Sequence, residues 1–305
     1  MNSEETVVVT SRSFSRNEVL REELLNRYKN VKFNDHGVRL SGKSLIKFLD
    51  GYDKAITALE KIDNDLLSKL PQLKVISKYG VGIDMIDISA LKAHNVRLGW
   101  TGGVNRRSVS ELVISSTISL LRNVPVATHE VKNGLWQQHI GMELSNLTFG
   151  IIGCGNIGKD LIQLLRGFGV KILVNDIRSF PKFYNENNIT ALKIDELLAL
   201  SDVVSLHLPL DSSTKYILDK RRMNLMKATA ILINYSRGGL IDESELLQML
   251  IDGRLAGAAL DVFEKEPPKN NKLTNLLNCI VTPHIGGSSE DAVLAMGRAA
   301  INGLD

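Results

Sequence analysis

The chain has 305 residues, of which 44% are hydrophobic and 23% are charged, and its formal net charge is +3. These values are typical of a soluble globular protein with room for two domains, and the interspersed charges exclude an extended nucleic-acid-binding face or a polybasic membrane patch. No apolar run is long enough to span a bilayer, and the amino terminus lacks an apolar targeting segment. The two cysteines, Cys154 and Cys279, lie in apolar strand-turn segments, which argues against a disulfide framework and favours a reducing compartment. We therefore expect a cytoplasmic protein with neither nucleic-acid nor membrane partners.

The first hundred residues alternate between predicted strands and predicted helices. Apolar runs predict strands, and apolar residues at helical spacing predict helices. The predicted strands are 7–9, 55–58, 73–77 and 96–98, and the predicted helices are 17–28, 63–70 and 88–94. This alternation is typical of an α/β domain with a parallel sheet.

A linker-like turn at 101–103 precedes a long predicted helix at 108–121, and the polar stretch 125–144 is expected to be irregular. Further strands are predicted at 203–208, 230–234, 256–260 and 279–282, with a helix at 243–251. The last helix, 289–304, is expected to pack back on the first domain. We therefore predict a discontinuous substrate domain, 1–100 and 286–305, and a nucleotide-binding domain, 101–285.

A strand, a glycine turn, a helix and a second strand follow one another from residue 147 to residue 176. The turn reads Gly153-Cys154-Gly155-Asn156-Ile157-Gly158. In a dinucleotide-binding unit, Gly153 permits the tight turn, Gly155 lets a pyrophosphate approach the main chain, and Gly158 lets helix and strand pack closely. Asp176 ends the second strand, where a carboxylate can accept hydrogen bonds from a ribose 2′-hydroxyl. That acid favours NAD, and nearby Arg178 leaves NADP as the less favoured alternative.

Three side chains with complementary chemistry each follow a predicted strand: Arg237, Glu266 and His284. A guanidinium suits a carboxylate, and an imidazole exchanges protons near neutral pH. Each residue alone has an ordinary structural explanation, and His207 fits that explanation better than His284 does. The set is informative because strand ends of an open α/β sheet form the ligand site. The turn Gly80-Val81-Gly82 follows another strand, and its bare amides could form an anion site.

Together these segments resemble the D-isomer-specific 2-hydroxyacid dehydrogenases over essentially the whole chain. The resemblance implies a two-domain α/β fold, with a Rossmann NAD-binding domain inserted in a discontinuous flavodoxin-like substrate domain. It also implies a homodimer paired through the Rossmann domain. The segments that carry the resemblance are the glycine turn and residues 73–84, 109–112, 206–210, 234–242, 257–263 and 282–284.

The resemblance implies a role for each matching position. Arg237 would hold the substrate carboxylate and carbonyl oxygen, His284 would be the acid/base, and Glu266 would orient it. The amides near Val81 and Gly82 would bind the substrate carboxylate. No metal site is expected. The predicted cofactor-binding residues are Gly153, Gly155, Asn156, Ile157, Gly158, Asp176, His207, Pro209 and Asp261, the last matching an acid near the nicotinamide.

The implied reaction is hydride transfer between the nicotinamide and C2 of a small D-2-hydroxy acid or 2-oxo acid. Residues 59–84 look most like bacterial proteins named D-3-phosphoglycerate dehydrogenase. Those enzymes, however, carry an arginine for the substrate phosphate near the position where this chain has Thr57. Hydroxypyruvate or glyoxylate reduction is the alternative, as is an NAD-sensing protein like the corepressors built on this fold. The substrate and the direction of the reaction stay open. Because the chain ends at Asp305, feedback through a further carboxyl-terminal domain is not expected.

Overall fold

The computed structural model describes residues 2–269 and 271–305 of the chain. They form two compact units, of which the first comprises Met1–Asn105 and Glu290–Asp305 and the second comprises Arg106–Ser289. In the described residues, no helix combines the length and the apolar character needed to cross a membrane. Elements are numbered below in chain order.

The first unit contains a five-stranded parallel sheet. Its strands are β1 (Asn2–Val9), β2 (Tyr28–Phe33), β3 (Lys54–Thr57), β4 (Val75–Lys78) and β5 (Arg97–Gly99), in the order β2-β1-β3-β4-β5. Its helices are α1 (Arg12–Arg16), α2 (Glu18–Leu25), α3 (Gly42–Leu49), α4 (Asn64–Leu67), α5 (Ile88–Ala93) and α13 (Glu290–Asn302). The strand order is that of flavodoxin, which confirms the predicted architecture of this part.

The carboxyl-terminal helix α13 completes the first unit. Gly297 packs so closely on α2 that a Cβ atom there would lie 2.3 Å from the Leu20 side chain. The Ser77 hydroxyl, at β4, donates to the Ala300 carbonyl at 2.6 Å. A helix distant in sequence therefore packs against α2 and β4.

The second unit contains a seven-stranded parallel sheet. Its strands are β6 (Thr148–Ile152), β7 (Lys171–Asn175), β8 (Thr190–Ala191), β9 (Val203–Leu206), β10 (Ile231–Asn234), β11 (Gly257–Leu260) and β12 (Cys279–Val281). Its helices are α6 (Arg106–Leu121), α7 (Val124–Lys132), α8 (Asn156–Leu165), α9 (Pro181–Glu186), α10 (Ile194–Leu200), α11 (Lys220–Met223) and α12 (Glu243–Ile251).

The strand order β12-β11-β10-β9-β6-β7-β8 is doubly wound. Strands β6 to β8 are added toward one side of the sheet and strands β9 to β12 toward the other, so the switch point lies between β6 and β9. Ligands of such sheets bind at the switch point, beyond the carboxyl ends of the strands. Strands β9, β10 and β11 are fully buried, as expected for a parallel sheet covered on both faces. The predicted Rossmann architecture is confirmed.

Two details of the predicted element pattern are wrong. The helix predicted at 17–28 ends at Leu25, and Tyr28 begins β2. Strand β2 lies at the sheet edge and carries the polar residues Lys29, Asn30 and Lys32, so its sequence lacks an apolar run. The stretch 125–144, expected to be irregular, overlaps helix α7, a surface helix of nine residues that buries none of them.

Candidate active site

At two positions of the turn after β6, nearby main-chain atoms leave no room for a side chain, so glycine is required. Gly153 has a φ of +102°, and a Cβ there would lie 2.4 Å from the carbonyl oxygen of His207. A Cβ on Gly158 would lie 2.2 Å from the carbonyl oxygen of Gly153. These glycines bring the turn, the start of α8 and the end of β9 into direct main-chain contact, which is the close packing that the motif predicts.

Gly155 differs, because no heavy atom lies within 4 Å of the Cβ position there. Its φ of −79° is open to other residues, so the described part of the chain gives no packing reason for a glycine. The amides of Asn156 and Ile157 begin α8, where helical N–H groups lack an intrahelical partner. Open space beside these amides fits a pyrophosphate that approaches the main chain at a helix amino terminus.

Asp176 follows β7 and lies against the glycine turn. Its Oδ2 accepts a hydrogen bond from the Cys154 amide at 2.6 Å, and its Oδ1 accepts one from the Arg178 amide at 2.7 Å. The structure thus places the acid predicted to bind the adenosine ribose beside the turn predicted to bind the pyrophosphate. A fixed carboxylate here would repel a 2′-phosphate, which supports NAD over NADP.

His207 follows β9 and is held as a neutral ring. Its Nε2 lies 2.9 Å from Ser205 Oγ, while its Nδ1 is buried without a hydrogen-bond partner in the described residues. Burial lowers the pKa of His207 to about 3, so the imidazole is uncharged near pH 7. The next predicted cofactor residue, Pro209, accepts a hydrogen bond from Thr214 Oγ1 at 2.7 Å. Contact of either residue with a cofactor stays a prediction.

His284 and Glu266 lie in the loops after β12 and β11 and form a pair. His284 Nδ1 lies 2.9 Å from Glu266 Oε2, and the two side chains are 51% and 40% exposed. Glu266 Oε1 also accepts a hydrogen bond from the Phe263 amide at 3.2 Å. A carboxylate on Nδ1 fixes the ring orientation and leaves Nε2 for a reacting atom. This is the arrangement that an acid/base histidine requires.

Arg237 lies in a turn that Asn234, the last residue of β10, organises. Asn234 Nδ2 donates to the Arg237 carbonyl at 2.8 Å, and Asn234 Oδ1 accepts from the Ser236 amide at 3.2 Å. A Cβ on Gly238 would lie 2.0 Å from the Phe263 carbonyl oxygen, so this turn packs directly on the loop that leads to Glu266. Because β10, β11 and β12 are neighbouring parallel strands, the three predicted catalytic residues, which follow them, lie at the carboxyl end of the sheet.

Asp261 is buried after β11 and holds the loop that carries His284. Its carboxylate accepts hydrogen bonds from Thr282 Oγ1 at 2.6 Å and from the Ile285 and Gly286 amides, each at 2.7 Å. His284 has a φ of +57°, a left-handed conformation that is uncommon outside glycine and must be stabilised by its surroundings. The structure therefore shows Asp261 supporting His284, while the predicted contact of Asp261 with the cofactor stays a prediction.

Replacing Asp261 with asparagine is expected to destabilise the second unit and to lower turnover. In the unmodified chain, the Ile285 and Gly286 amides donate to the two oxygens of the Asp261 carboxylate. In asparagine an NH₂ group, which cannot accept, replaces one of these oxygens, so one buried N–H donor loses its acceptor. Such a loss costs about 1–3 kcal/mol of unfolding free energy. Denaturant unfolding measures this change, with Asp252→Asn, a partly exposed aspartate of the same unit, as the control. Equal stability of the two variants would contradict the supporting role.

Sequence reasoning missed two residues that support the site. Asn234 is recognisable only as an Asx-turn residue at the end of a strand. Glu243, at the start of α12, accepts hydrogen bonds from the Glu264 amide at 2.6 Å and from Asn271 Nδ2 at 2.8 Å, and burial raises its pKa. In sequence Glu243 looks like an ordinary acid of a first helical turn, because its partners lie 21 and 28 residues away.

The turn Gly80-Val81-Gly82 lies in the first unit, directly after β4. Gly80 has a φ of +117°, which an L side chain rarely adopts. No hydrogen bond donated by the three amides is formed with the part of the chain that the structure describes. These amides are available to an anion, and their binding of the substrate carboxylate stays a prediction.

Comparison with known proteins identifies the family. Residues 114–286 match the family described as D-isomer specific 2-hydroxyacid dehydrogenase, NAD binding domain. The chain belongs to this family. The resemblance and the predicted NAD cofactor are therefore confirmed, and the second unit is an NAD-binding domain of this family.

Relatives in the family have different names. The D-3-phosphoglycerate dehydrogenase of Methanocaldococcus jannaschii is 39% identical over 241 residues, which cover 78% of this chain and 46% of that protein. The hydroxypyruvate reductase of Thermotoga maritima is 33% identical over 280 residues, which cover 90% of each chain. The crystal structure of a glyoxylate reductase from Paecilomyes thermophila has a TM-score of 0.87 and 26% identity, covering 99% of this chain and 94% of that one. The chain spans about half the length of the phosphoglycerate dehydrogenases that it matches.

Proposed function

We propose that this chain is an NAD-dependent oxidoreductase that transfers hydride between the nicotinamide and C2 of a small D-2-hydroxy acid or 2-oxo acid. The observation that carries the proposal is the pair of His284 Nδ1 and Glu266 Oε2, 2.9 Å apart, in an NAD-binding domain. A partly exposed imidazole oriented by a carboxylate is a proton donor and acceptor. Proton exchange at an oxygen is the chemistry that must accompany hydride transfer at the adjoining carbon.

Each residue has a defined task in the reducing direction. NADH, when bound, supplies the hydride for C2. His284 donates the Nε2 proton to the C2 oxygen, and Glu266 keeps the ring oriented through Nδ1. Arg237 pairs with the substrate carboxylate and polarises the carbonyl oxygen, and the amides of Val81 and Gly82 bind the carboxylate. His207 is assigned no proton transfer, because burial lowers its pKa to about 3 and makes the ring a poor proton acceptor.

A panel of 2-oxo acids tests this function. Purified protein is mixed with NADH and each acid, and the loss of absorbance of the reduced nicotinamide is followed. Turnover with at least one acid is expected, and 3-phosphohydroxypyruvate against hydroxypyruvate separates the substrate classes named among the relatives. Intact NADH binding without turnover on any acid would overturn the proposal and leave an NAD-sensing role.

We further propose that the chain forms a homodimer through the second unit. Residues 124–142 expose a set of apolar side chains, and Trp136 and Ile140 are 87% and 98% exposed. Beside them lies a groove of about 410 Å³ that Pro125, Ile140 and Leu277 help to line. Several exposed apolar side chains grouped in one segment are typical of a protein interface. The other exposed apolar side chains of residues 124–142 are Val124, Val131, Leu135 and Met142.

Substitution of two exposed apolar residues in 124–142 tests the proposed dimer. The double variant Trp136→Asp and Ile140→Asp is expected to shift the molar mass from that of a dimer to that of a 33.7 kDa monomer, because buried unpaired carboxylates oppose association. Light scattering after size-exclusion chromatography measures the mass. Leu200→Asp, at an exposed apolar residue of α10, is the matched control and should leave the dimer intact. A monomeric unmodified chain would contradict the proposal.

We also propose a cytoplasmic location. Cys154 and Cys279 are both free and buried, and burial raises their pKa to about 11 and about 12. Buried neutral thiols without a disulfide suit a reducing compartment. Cell fractionation tests this location.

A further inference from the structure

Trp100 lies at the carboxyl end of the first unit's sheet, next to the turn at 80–82. Strands β4 and β5 are paired, with Ser77 opposite Gly99. The residues that follow, Lys78 on one strand and Trp100 on the other, therefore leave the sheet at the same level. Five residues, 101–105, separate Trp100 from Arg106, where the second unit begins. The Trp100 side chain is 43% exposed.

The indole of Trp100 makes one polar contact with the part of the chain that the structure describes. Its Nε1 donates a hydrogen bond to the Val81 carbonyl at 2.9 Å. The Val81 carbonyl and the Gly82 N–H belong to one planar trans peptide and point in opposite directions. Holding the carbonyl therefore fixes the direction of the Gly82 N–H, which faces away from the indole.

The Lys78 side chain holds the amino-terminal end of the turn. Lys78 is buried, and its Nζ donates to the Ala58 carbonyl and, at 3.4 Å, to the Tyr79 carbonyl. The peptide that contains the Tyr79 carbonyl also contains the Gly80 N–H. Because glycines at both ends of Gly80-Val81-Gly82 widen the range of accessible main-chain conformations, these side-chain contacts limit how far the amides can rotate.

We propose that Trp100 is a positioning residue that aims the Gly82 amide at the substrate carboxylate. The inference rests on the proposed function, in which the amides of Val81 and Gly82 bind that carboxylate. Trp100 acts through the turn and takes no part in proton or hydride transfer. It therefore sets substrate affinity without setting the rate of the chemical step.

The variant Trp100→Phe removes the donor and keeps an aromatic ring. We expect KM for the best 2-oxo acid of the panel to rise about 3- to 10-fold, the range that one neutral hydrogen bond supports. The dissociation constant of oxamate, an unreactive analogue with the same carboxylate, should rise by the same factor. The value of kcat should stay within about twofold, and the dissociation constant of NADH should not change, because the glycine turn lies in the other unit.

A spectroscopic measurement adds an independent result. The chain has two tryptophans, so Trp136→Phe leaves Trp100 as the one indole. In that variant, oxamate should change the fluorescence of Trp100, with the dissociation constant found by inhibition. Thermal unfolding of Trp100→Phe serves as the folding control.

Three results would overturn the inference. An unchanged KM and an unchanged oxamate constant in active Trp100→Phe would remove Trp100 from substrate binding while leaving the proposed function intact. A common loss of kcat, NADH affinity and thermal stability would mean a purely structural role. Absence of turnover by the unmodified chain on every 2-oxo acid would be a failure of the proposed function itself, and the inference would fall with it.

Discussion

Replacing His284 is expected to lower kcat by about 10²- to 10⁴-fold, the contribution that a positioned general acid or base makes. Without the imidazole, the C2 oxygen receives its proton only from water. The dissociation constant of NADH should be nearly unchanged, because His284 follows β12 whereas the glycine turn follows β6. Steady-state kinetics and fluorescence titration with NADH measure the two quantities separately.

The choice of substitution matters, because His284 has a φ of +57°. Alanine removes the side chain and also strains this left-handed position, whereas asparagine tolerates it well. Both His284→Ala and His284→Asn should lose activity if the imidazole transfers the proton, and only His284→Ala should lose stability. His94→Ala is the control, because this partly exposed histidine lies in the first unit, where its Nε2 is 2.9 Å from Asn64 Oδ1. Turnover by His284→Asn equal to that of the unmodified chain would remove His284 from the mechanism.

A further variant separates the acid/base from its support. Glu266→Gln keeps the size of the side chain, and its amide oxygen can still accept a hydrogen bond from His284 Nδ1–H over the observed 2.9 Å. The variant loses the negative charge that stabilises an imidazolium. We therefore expect a smaller fall in kcat than in His284→Asn, and non-additive effects in the double variant because the two residues act as a unit.

The parts of the fold that sequence could predict are those that depend on local pattern. The glycine turn at 153–158 and Asp176 needed only a strand, a helix and a second strand around them, and the structure places all of these in one unit. Arg237, Glu266 and His284 could be proposed from their positions after buried strands. A parallel sheet then brings such residues together at the carboxyl ends of its strands, whatever their separation along the chain.

The parts that sequence could not predict depend on distant partners or on weak patterns. Helix α7 buries no residue, and its one signal is Pro125 near the first turn, a position that proline favours. Strand β2 is polar and lies at an edge. The supporting roles of Asp261 and Glu243 arise from hydrogen bonds to loops more than 20 residues away, which only the folded chain brings together.

Substituting Gly155 with alanine is expected to separate cofactor binding from folding. The Cβ position at Gly155 meets no heavy atom within 4 Å, and its φ of −79° suits alanine. Unfolding free energy should therefore stay within about 0.5 kcal/mol or rise slightly. The added methyl group would instead meet a pyrophosphate that approaches the start of α8, so we expect the dissociation constant of NADH to rise about 10- to 100-fold, or about 1.4–2.8 kcal/mol.

Two matched glycine variants show whether this loss is specific. Gly167→Ala also adds a Cβ in open space, but after α8, and should bind NADH normally. Gly158→Ala places a Cβ 2.2 Å from the Gly153 carbonyl and should lose stability as well as NADH affinity, because main-chain atoms must move. Isothermal titration with NADH and denaturant unfolding distinguish the three variants. If Gly155→Ala bound NADH as tightly as Gly167→Ala, the pyrophosphate could not approach at residue 155, and the glycine there would have no explanation in cofactor binding.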